Sequence, residues 1–297
     1  MTLDLFQHEP AALYHGDALE LLPRMPDASV HCVATDPAYW TLDRWREIGT
    51  TTRLGGGRDP KKRKGWFETI DRDGLALLVR ESARVLVRNA HAWFFCDGIV
   101  QAVIHSLVEA GGSGFGYVKS FPVIKLRADG LGVRSGLGYH GRATVEYAVL
   151  CAKGEAEHEG VEWLVLCEKG KNRISERDWP DFFMSPWTGD AESKAFTPDG
   201  RPFPTAKPLG LFRRLIRLST LPGERVLDPF SGSGTCLHAA LAEGRRAVAI
   251  EKGEYGFTTS RRRLEHVTSE EQAETSLPGV RKRQVRPADK RDGNRLF

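Results

Sequence analysis

Arg225-Val226-Leu227-Asp228-Pro229-Phe230-Ser231-Gly232-Ser233-Gly234-Thr235 is the stretch that decides the fold. A short apolar run, Arg225-Val226-Leu227, reads as a buried strand, and the two glycines that follow let the backbone turn sharply where a Cβ would block a ligand. Thr235 to Glu243 reads as a helix, with Gly244 at its C′ position. Arg246-Ala247-Val248-Ala249-Ile250-Glu251 is the next strand and closes on an acid. Strand, glycine turn, helix, strand and acid make a nucleotide-binding βαβ unit, with the acid placed to accept ribose hydroxyls. Leu237 stands where a dinucleotide fingerprint would want a third glycine, and the turn has no lysine for a phosphate loop. The turn therefore points to a nucleoside without a pyrophosphate; an ordinary tight turn is the competing reading.

Upstream, Ala12-Leu13-Tyr14-His15-Gly16 is a short strand, and Asp17 can cap the helix that follows. Val30 to Thr35 is a near-continuous apolar strand of the buried parallel type. It runs into Asp36-Pro37-Ala38-Tyr39-Trp40, a carboxylate, a proline and two aromatics where open α/β sheets bind ligands. Asp36 can accept from an amine, and Tyr39 or Trp40 can stack on a flat ring; a plain strand-ending turn is the alternative. Residues 41–65 turn glycine-rich and basic and predict a mobile loop, with Arg53, Arg58, Lys61, Lys62, Arg63 and Lys64 placed to track phosphates. A solvated insertion explains the same composition.

The α/β rhythm returns from Asp71. A helical face of Leu75, Leu78, Val79, Ser82, Val85 and Leu86 leads to a strand over Ala90–Cys96 ending at Asp97. A helix follows over Ile99–Glu109, then strands over Tyr117–Leu126 and Thr144–Cys151. Residues 152–206 lose the pattern and read as a loop-rich insertion. A helix resumes at Lys207-Pro208, and after the glycine unit a last helix is expected over Glu254–His266, with a polar, basic, disordered tail from Thr268.

The chain has 297 residues, 40% hydrophobic and 28% charged, ample for a buried core. Its net charge of +4 is mild, but the clusters Lys61–Lys64 and Arg281–Arg283 suit a polyanionic partner. Five cysteines, at 32, 96, 151, 167 and 236, form no Cys-x-x-Cys pair and read as buried thiols in a reducing compartment, not as metal ligands. No apolar run is long enough to span a membrane and Met1-Thr2-Leu3-Asp4 begins no signal peptide, which predicts a cytoplasmic protein.

Together these motifs resemble the β-class amino-methyltransferases of DNA, S-adenosylmethionine-dependent enzymes that modify adenine N6 or cytosine N4. Gly16-Asp17 and Thr35-Asp36-Pro37-Ala38-Tyr39 resemble the family's Gly-Asp followed by Asp-Pro-Pro-Tyr. Phe203-Pro204-Thr205-Ala206-Lys207-Pro208 is similar to its His-Pro-Thr-x-Lys-Pro, and Asp228 to Thr235 matches its Asp-Pro-Phe-x-Gly-Ser-Gly-Thr. Glu251 matches its ribose acid; Glu81 to Asp97 and Lys125 with Glu146-Tyr147 resemble weaker central motifs. The likeness covers roughly residues 12–265, apart from the two insertions.

The resemblance implies an α/β fold, Rossmann-like, with a mixed, mostly parallel sheet, helices on both faces and a circularly permuted order. A catalytic half, 1–151, precedes a target-recognition insertion, 152–203, and a cofactor half, 204–267, with the tail over 268–297. It implies methyl transfer to the N6 amine of adenine in a flipped-out base of double-stranded DNA, with Asp36, Pro37 and Tyr39 catalytic. Asp17, Asp36, Lys207, Asp228, Phe230, Ser231, Gly232, Gly234, Thr235 and Glu251 would hold the cofactor. Cytosine N4 enzymes of this type more often carry serine at the position of Asp36. A homodimer, a restriction endonuclease partner, an RNA substrate and a bacterial or phage-infected host are left open. Ala38 and Phe203 depart from the pattern, which keeps a DNA-binding protein with weakened catalysis in view. The missing glycine at 237 argues against a nicotinamide oxidoreductase.

Overall fold

The structure, a computed structural model, describes residues 10–43, 68–127, 145–153, 183–186 and 188–276. Among these, eight strands form one sheet: β1 (Ala11–His15), β2 (Val30–Thr35), β3 (Leu86–Cys96), β4 (Tyr117–Leu126), β5 (Val145–Ala152), β6 (Phe183–Pro186), β7 (Arg225–Asp228) and β8 (Arg246–Glu251). Their spatial order is β1-β8-β7-β2-β3-β5-β4-β6. β1, β8, β7, β2 and β3 run parallel. β5 is antiparallel to β3 and to β4, and β6 lies parallel to β4.

The central strands are apolar on both sides because both faces are covered. Successive residues of β3 alternate between the two cores: Ala92, Phe94 and Cys96 on one side, Trp93 and Phe95 on the other. The first core is closed by α2 (Arg72–Val85) and α3 (Gly98–Glu109), through residues such as Leu75, Leu78, Val100 and Ile104. The second is closed by α5 (Leu209–Ser219), α6 (Thr235–Ala242) and Val267 of α7 (Glu254–Ser276), after the short α1 (Ala18–Leu21) and α4 (Gly189–Ser193). Trp93, Phe94 and Phe95 are fully buried, and each large apolar side chain so placed contributes about 1.5–3 kcal/mol. Trp93 also donates its indole N–H to Ser219 Oγ at 2.8 Å, so its polar edge is satisfied.

Caps set several element starts. Asp17 accepts from Leu19 N, Asp71 from Gly74 N, and Asp97 from Ile99 N and Val100 N. Gly244 turns the chain with φ +70 after α6.

Three segments differ from the sequence reading. β3 begins at Leu86, directly at the end of α2. The stretch expected as a loop-rich insertion contributes β6, whose four residues pair with Val123–Leu126 of β4. α7 runs on to Ser276 instead of stopping near His266, because Glu270-Glu271-Gln272-Ala273-Glu274 are strong helix formers despite their charge. The basic loop residues Arg53, Arg58, Lys61, Lys62, Arg63 and Lys64 lie outside the described residues, as do most of 152–203, the tail beyond Ser276 and Cys167. Cys32, Cys96, Cys151 and Cys236 are buried thiols, with Cys32 pushed up to about 12 by burial. Among the described residues no helix is long and apolar enough to cross a membrane.

Arg84 fastens α2 to the turn that follows α1. It donates to Leu22 O and Met25 O at 2.7 Å each, to Glu81 Oε2 at 2.7 Å and to Asp27 Oδ1 at 2.5 Å. Arg84→Met takes a donor from two carbonyls, of which Leu22 O keeps Met25 N at 3.0 Å, and leaves the buried Glu81 to Arg80 at 3.5 Å, so urea denaturation should report a loss of about 1–3 kcal/mol.

Candidate active site

The site lies at the carboxyl ends of the parallel strands. β7 leads to β8 on one side, while β2 leads to β3 on the other, so the strand order reverses between β7 and β2. A reversal opens a crevice outside the strand ends. Four acids line this edge: Asp17 two residues after β1, Glu251 at the end of β8, Asp228 at the end of β7, and Asp36 directly after β2.

The glycine turn is built on two of them. Asp228 Oδ1 accepts from Phe230 N at 3.1 Å and from Thr35 Oγ1 at 2.9 Å. Glu251 Oε2 accepts from Gly232 N at 2.7 Å, and its Oε1 from Gly253 N at 2.7 Å. Gly232 and Gly234 take φ +51 and +73, conformations that L side chains rarely adopt. A Cβ on Gly234 would sit 2.9 Å from Ser260 Cα, so α7 and the turn meet backbone to backbone. A Cβ on Gly256 would come within 2.8 Å of Glu251 Cδ, so the start of α7 closes on that acid. Burial raises the Glu251 carboxyl, opposed by the N–H donors of Gly253 and Gly232. With about four lone-pair positions, a carboxylate bonded this way keeps capacity for sugar hydroxyls.

Beside the turn lies a cleft of about 500 Å³, lined by Asp17, Leu19, Glu68, Ile70, Phe230 and Lys252 among others. Its polar rim is an ion-pair bridge: Lys252 Nζ lies 3.0 Å from Asp17 Oδ2 and also contacts Glu68. These carboxylates push the Lys252 ammonium up to about 12. Phe230 is half-buried, and Leu19 and Ile70 supply apolar walls suited to a flat ring. Phe203, which stands in place of the family's histidine, is buried 3.7 Å from a Cβ position on Gly232 and stacks on Tyr255.

On the other side of the reversal, the Asp36 loop is held by two backbone hydrogen bonds: Ile70 N donates to Ala38 O at 2.8 Å and Trp40 N to Ile70 O at 2.9 Å. Asp36 meets the Lys207 ammonium, which also lies 5.7 Å from the Phe95 ring centre. Tyr39 is 4% exposed and packs in the first core, with its hydroxyl buried and without a hydrogen-bond partner among the described residues. Burial holds that phenol well above its ordinary range. Trp40, half-buried and edge-on to Tyr39, is the more open of the two rings; Arg72 lies 5.3 Å from its centre.

The structure thus brings Asp17, Asp36, Lys207, Asp228, Phe230, Gly232, Gly234 and Glu251 to one edge of the sheet. Ser231 and Thr235, expected to contact the cofactor, direct their hydroxyls to α7 and the turn itself. Ser231 Oγ bonds Ser260 Oγ at 3.0 Å, and Thr235 Oγ1 bonds Ser233 and accepts from Arg263, so both hydroxyls serve the packing of the turn against α7. Sequence motifs gave no sign of Lys252, Glu68 or Ile70. Lys252 was findable as the residue after the strand-ending acid; Glu68 and Ile70 carry no signal.

Sheet order, reversal and glycine turn define a Rossmann-like methyltransferase fold. A family model described as DNA methylase, of the N6/N4 methyltransferases, matches residues 30–261, and the chain belongs to that family. It is 27% identical over 269 residues to the type II methyltransferase M.Cfr9I of Citrobacter freundii, covering 81% of this chain and 83% of that one. It is 40% identical over 91 residues to the DNA adenine methyltransferase YhdJ of Escherichia coli K12, covering 30% and 29%. A DNA modification methylase of Thermus thermophilus, solved with S-adenosyl-L-methionine, shares the fold with a TM-score of 0.53 and 23% identity over 86% of this chain and 94% of that one.

Two outcomes follow. Gly234→Ala forces a left-handed alanine against Ser260 and should lower stability by at least about 1–3 kcal/mol in thermal or urea melts. Burial raises the Asp228 carboxyl from 3.8 to about 7, so over that range the folded chain holds a proton that the unfolded chain has released. Its stabilising contribution is complete at the acid end and is lost as the pH rises through the folded value. Stability should therefore fall toward neutrality by up to about 1.4 kcal/mol per pH unit in the wild type and more gently in Asp228→Asn.

Proposed function

We propose that the protein transfers a methyl group from S-adenosylmethionine to the exocyclic N6 amine of adenine in double-stranded DNA. The observation that carries this reading is the position of Asp36 directly after β2, next to Asp228 at the end of β7 and the glycine turn that follows it, across the reversal of the sheet. The cofactor-side residues fit the group: the left-handed glycines bend the turn sharply beside the cleft, Glu251 suits the ribose, and the cleft by Asp17, Ile70 and Phe230 suits a purine. When bound, S-adenosylmethionine supplies a methyl carbon activated by the sulfonium charge.

The chain's own residues deal with the nucleophile. An aromatic amine is conjugated with its ring, and its lone pair becomes available when both hydrogens are held by acceptors. The Asp36 carboxylate and the Pro37 carbonyl are such acceptors, and proline brings no N–H of its own. Asp36 does not have to act as a strong base, because the amine becomes acidic once it carries the new methyl group. Catalysis then rests mostly on positioning. Ala38, where the family has proline, is compensated by the two hydrogen bonds to Ile70 that hold the loop.

A flipped base needs an aromatic face. Tyr39 is the family's position for it, and the greater exposure of Trp40 supports a share for that ring. Arg53, Arg58 and Lys61–Lys64 would meet phosphates, and the insertion 152–203 would read sequence. Adenine rather than cytosine is favoured by the aspartate at 36 and by the likeness to an adenine methyltransferase.

Mass spectrometry of nucleosides from DNA incubated with protein and S-adenosylmethionine should show N6-methyladenine that disappears with Asp36→Ala. N4-methylcytosine would change the base, and no methylated base on varied DNA would overturn the reading. Trp40→Ala and Tyr39→Ala assign the stacking ring: the ring that carries the base should weaken binding by about 1–3 kcal/mol on removal.

A further inference from the structure

We infer that Lys207 is a positioning residue that keeps the Asp36 carboxylate ionised and oriented, instead of a ligand of the cofactor. The inference rests on the methyl-transfer reading above and deepens it. Its basis is the place where the ammonium ends. Lys207 comes from the stretch before α5, in the part of the sequence that resembles a cofactor motif. Its side chain nevertheless crosses to the catalytic half, reaches Asp36 Oδ2 and stands over the Phe95 ring. The ammonium side chain is 9% exposed and its partner 26%.

The backbone around Lys207 is built to hold that reach. Gly189 packs so closely that a Cβ there would collide with Ala206 O and lie 2.7 Å from Lys207 O. Ser193 Oγ accepts from Phe203 N at 2.6 Å, and Glu192 Oε2 accepts from Leu209 N at 3.0 Å. Thr188 Oγ1 donates to Glu192 Oε1 at 2.6 Å, which fixes that glutamate in turn. The 203–209 segment is thereby pinned on both sides of Lys207 by α4 and the residue before it.

The groups around Asp36 explain why a fixed cation matters. On the neighbouring strand stands Asp228, whose carboxyl feels the charge of Asp36, as does the Tyr39 phenol on the same loop; Glu251 lies one strand further. Asp228 itself is held up to about 7, chiefly by burial and with contributions from Asp36 and Glu251. Carboxylates crowded in this way favour protonation of one another. A protonated Asp36 would offer a donor where the target amine requires an acceptor. Among the described residues, Lys207 brings a cation into contact with Asp36 that counters this.

The test compares wild type, Lys207→Met and Lys207→Arg in the full-length protein. Rates on DNA are measured across pH, and affinity for S-adenosylmethionine is measured separately by calorimetry. The acidic limb of the rate profile should move up by about one to three pH units in Lys207→Met. Its rate should fall at least about tenfold at neutral pH and recover at alkaline pH, with cofactor affinity nearly unchanged. Lys207→Arg should return the limb toward its wild-type position. An unmoved limb with cofactor affinity weakened about tenfold or more would make Lys207 a cofactor ligand and overturn the inference. A loss equal at all pH values, without rescue by arginine, would overturn it as well. Should Lys207→Met fail to fold, Lys207→Gln replaces it. If the wild type methylates no DNA, the functional reading falls, and carbon NMR of the Asp36 carboxyl still decides the pair. An upward move of its titration on loss of the lysine charge supports the inference, and an unchanged titration overturns it.

Discussion

One carboxylate oxygen joins the two working parts of the molecule. Asp228 Oδ1 accepts the Thr35 hydroxyl, which ends the strand carrying Asp36, and the Phe230 N–H, which starts the glycine turn. β2 and β7 share only a short parallel register, Cys32 against Val226 and Val33 against Leu227, so little backbone pairing holds them at the reversal. Both partners of the Thr35–Asp228 bond are buried, where an unmatched polar group is costly. The distance between the Asp36 loop and the glycine turn is therefore fixed by a contact deep in the sheet, beneath the crevice it serves.

Above that contact the electrostatics are uneven. Acids from four neighbouring strands face the crevice, and two lysines, Lys252 on Asp17 and Lys207 on Asp36, neutralise its two ends. Asp228 and Glu251, in the middle, are instead stabilised by hydrogen bonds from the glycine turn and from Thr35. On the proposed reading this middle is where a cationic cofactor belongs. Carboxylates in a partly dry site favour a positively charged ligand over the neutral one left after its methyl group is gone. The same fields that help it bind would help the spent form leave.

Much of this was legible in the sequence because it is local. The glycine turn, its strand and helix, the strand-ending acid and the Asp36 loop each lie within a short span, and their positive φ values, caps and burial follow from residue type. What the sequence hid is mostly long-range. The Lys207–Asp36 pair spans 171 residues, and the Lys252–Glu68 contact spans 184. The burial of Tyr39 depends on α2, α3 and Ile70 packing around it, not on its motif. β6 has four residues, the last of them proline, too few for a periodic signal. The hydroxyls of Ser231 and Thr235 escape a motif reading because motif position gives the backbone path but not which way a side chain turns.

The pairing of β1 with β8 has a temporal consequence. Ala11 to His15 align with Ala247 to Glu251, so an edge strand from the start of the chain waits for a partner made near the end of the described sequence. β2 waits likewise for β7. Contacts between such distant segments form slowly, and during synthesis they cannot form until the late strands leave the ribosome. The nascent chain can collapse around β3, β4 and β5, which are all made before β7, while the glycine turn does not yet exist. During synthesis the crevice therefore has to wait for β7 and β8, and a truncated chain would carry Asp36 without the neighbouring strand that gives it a site.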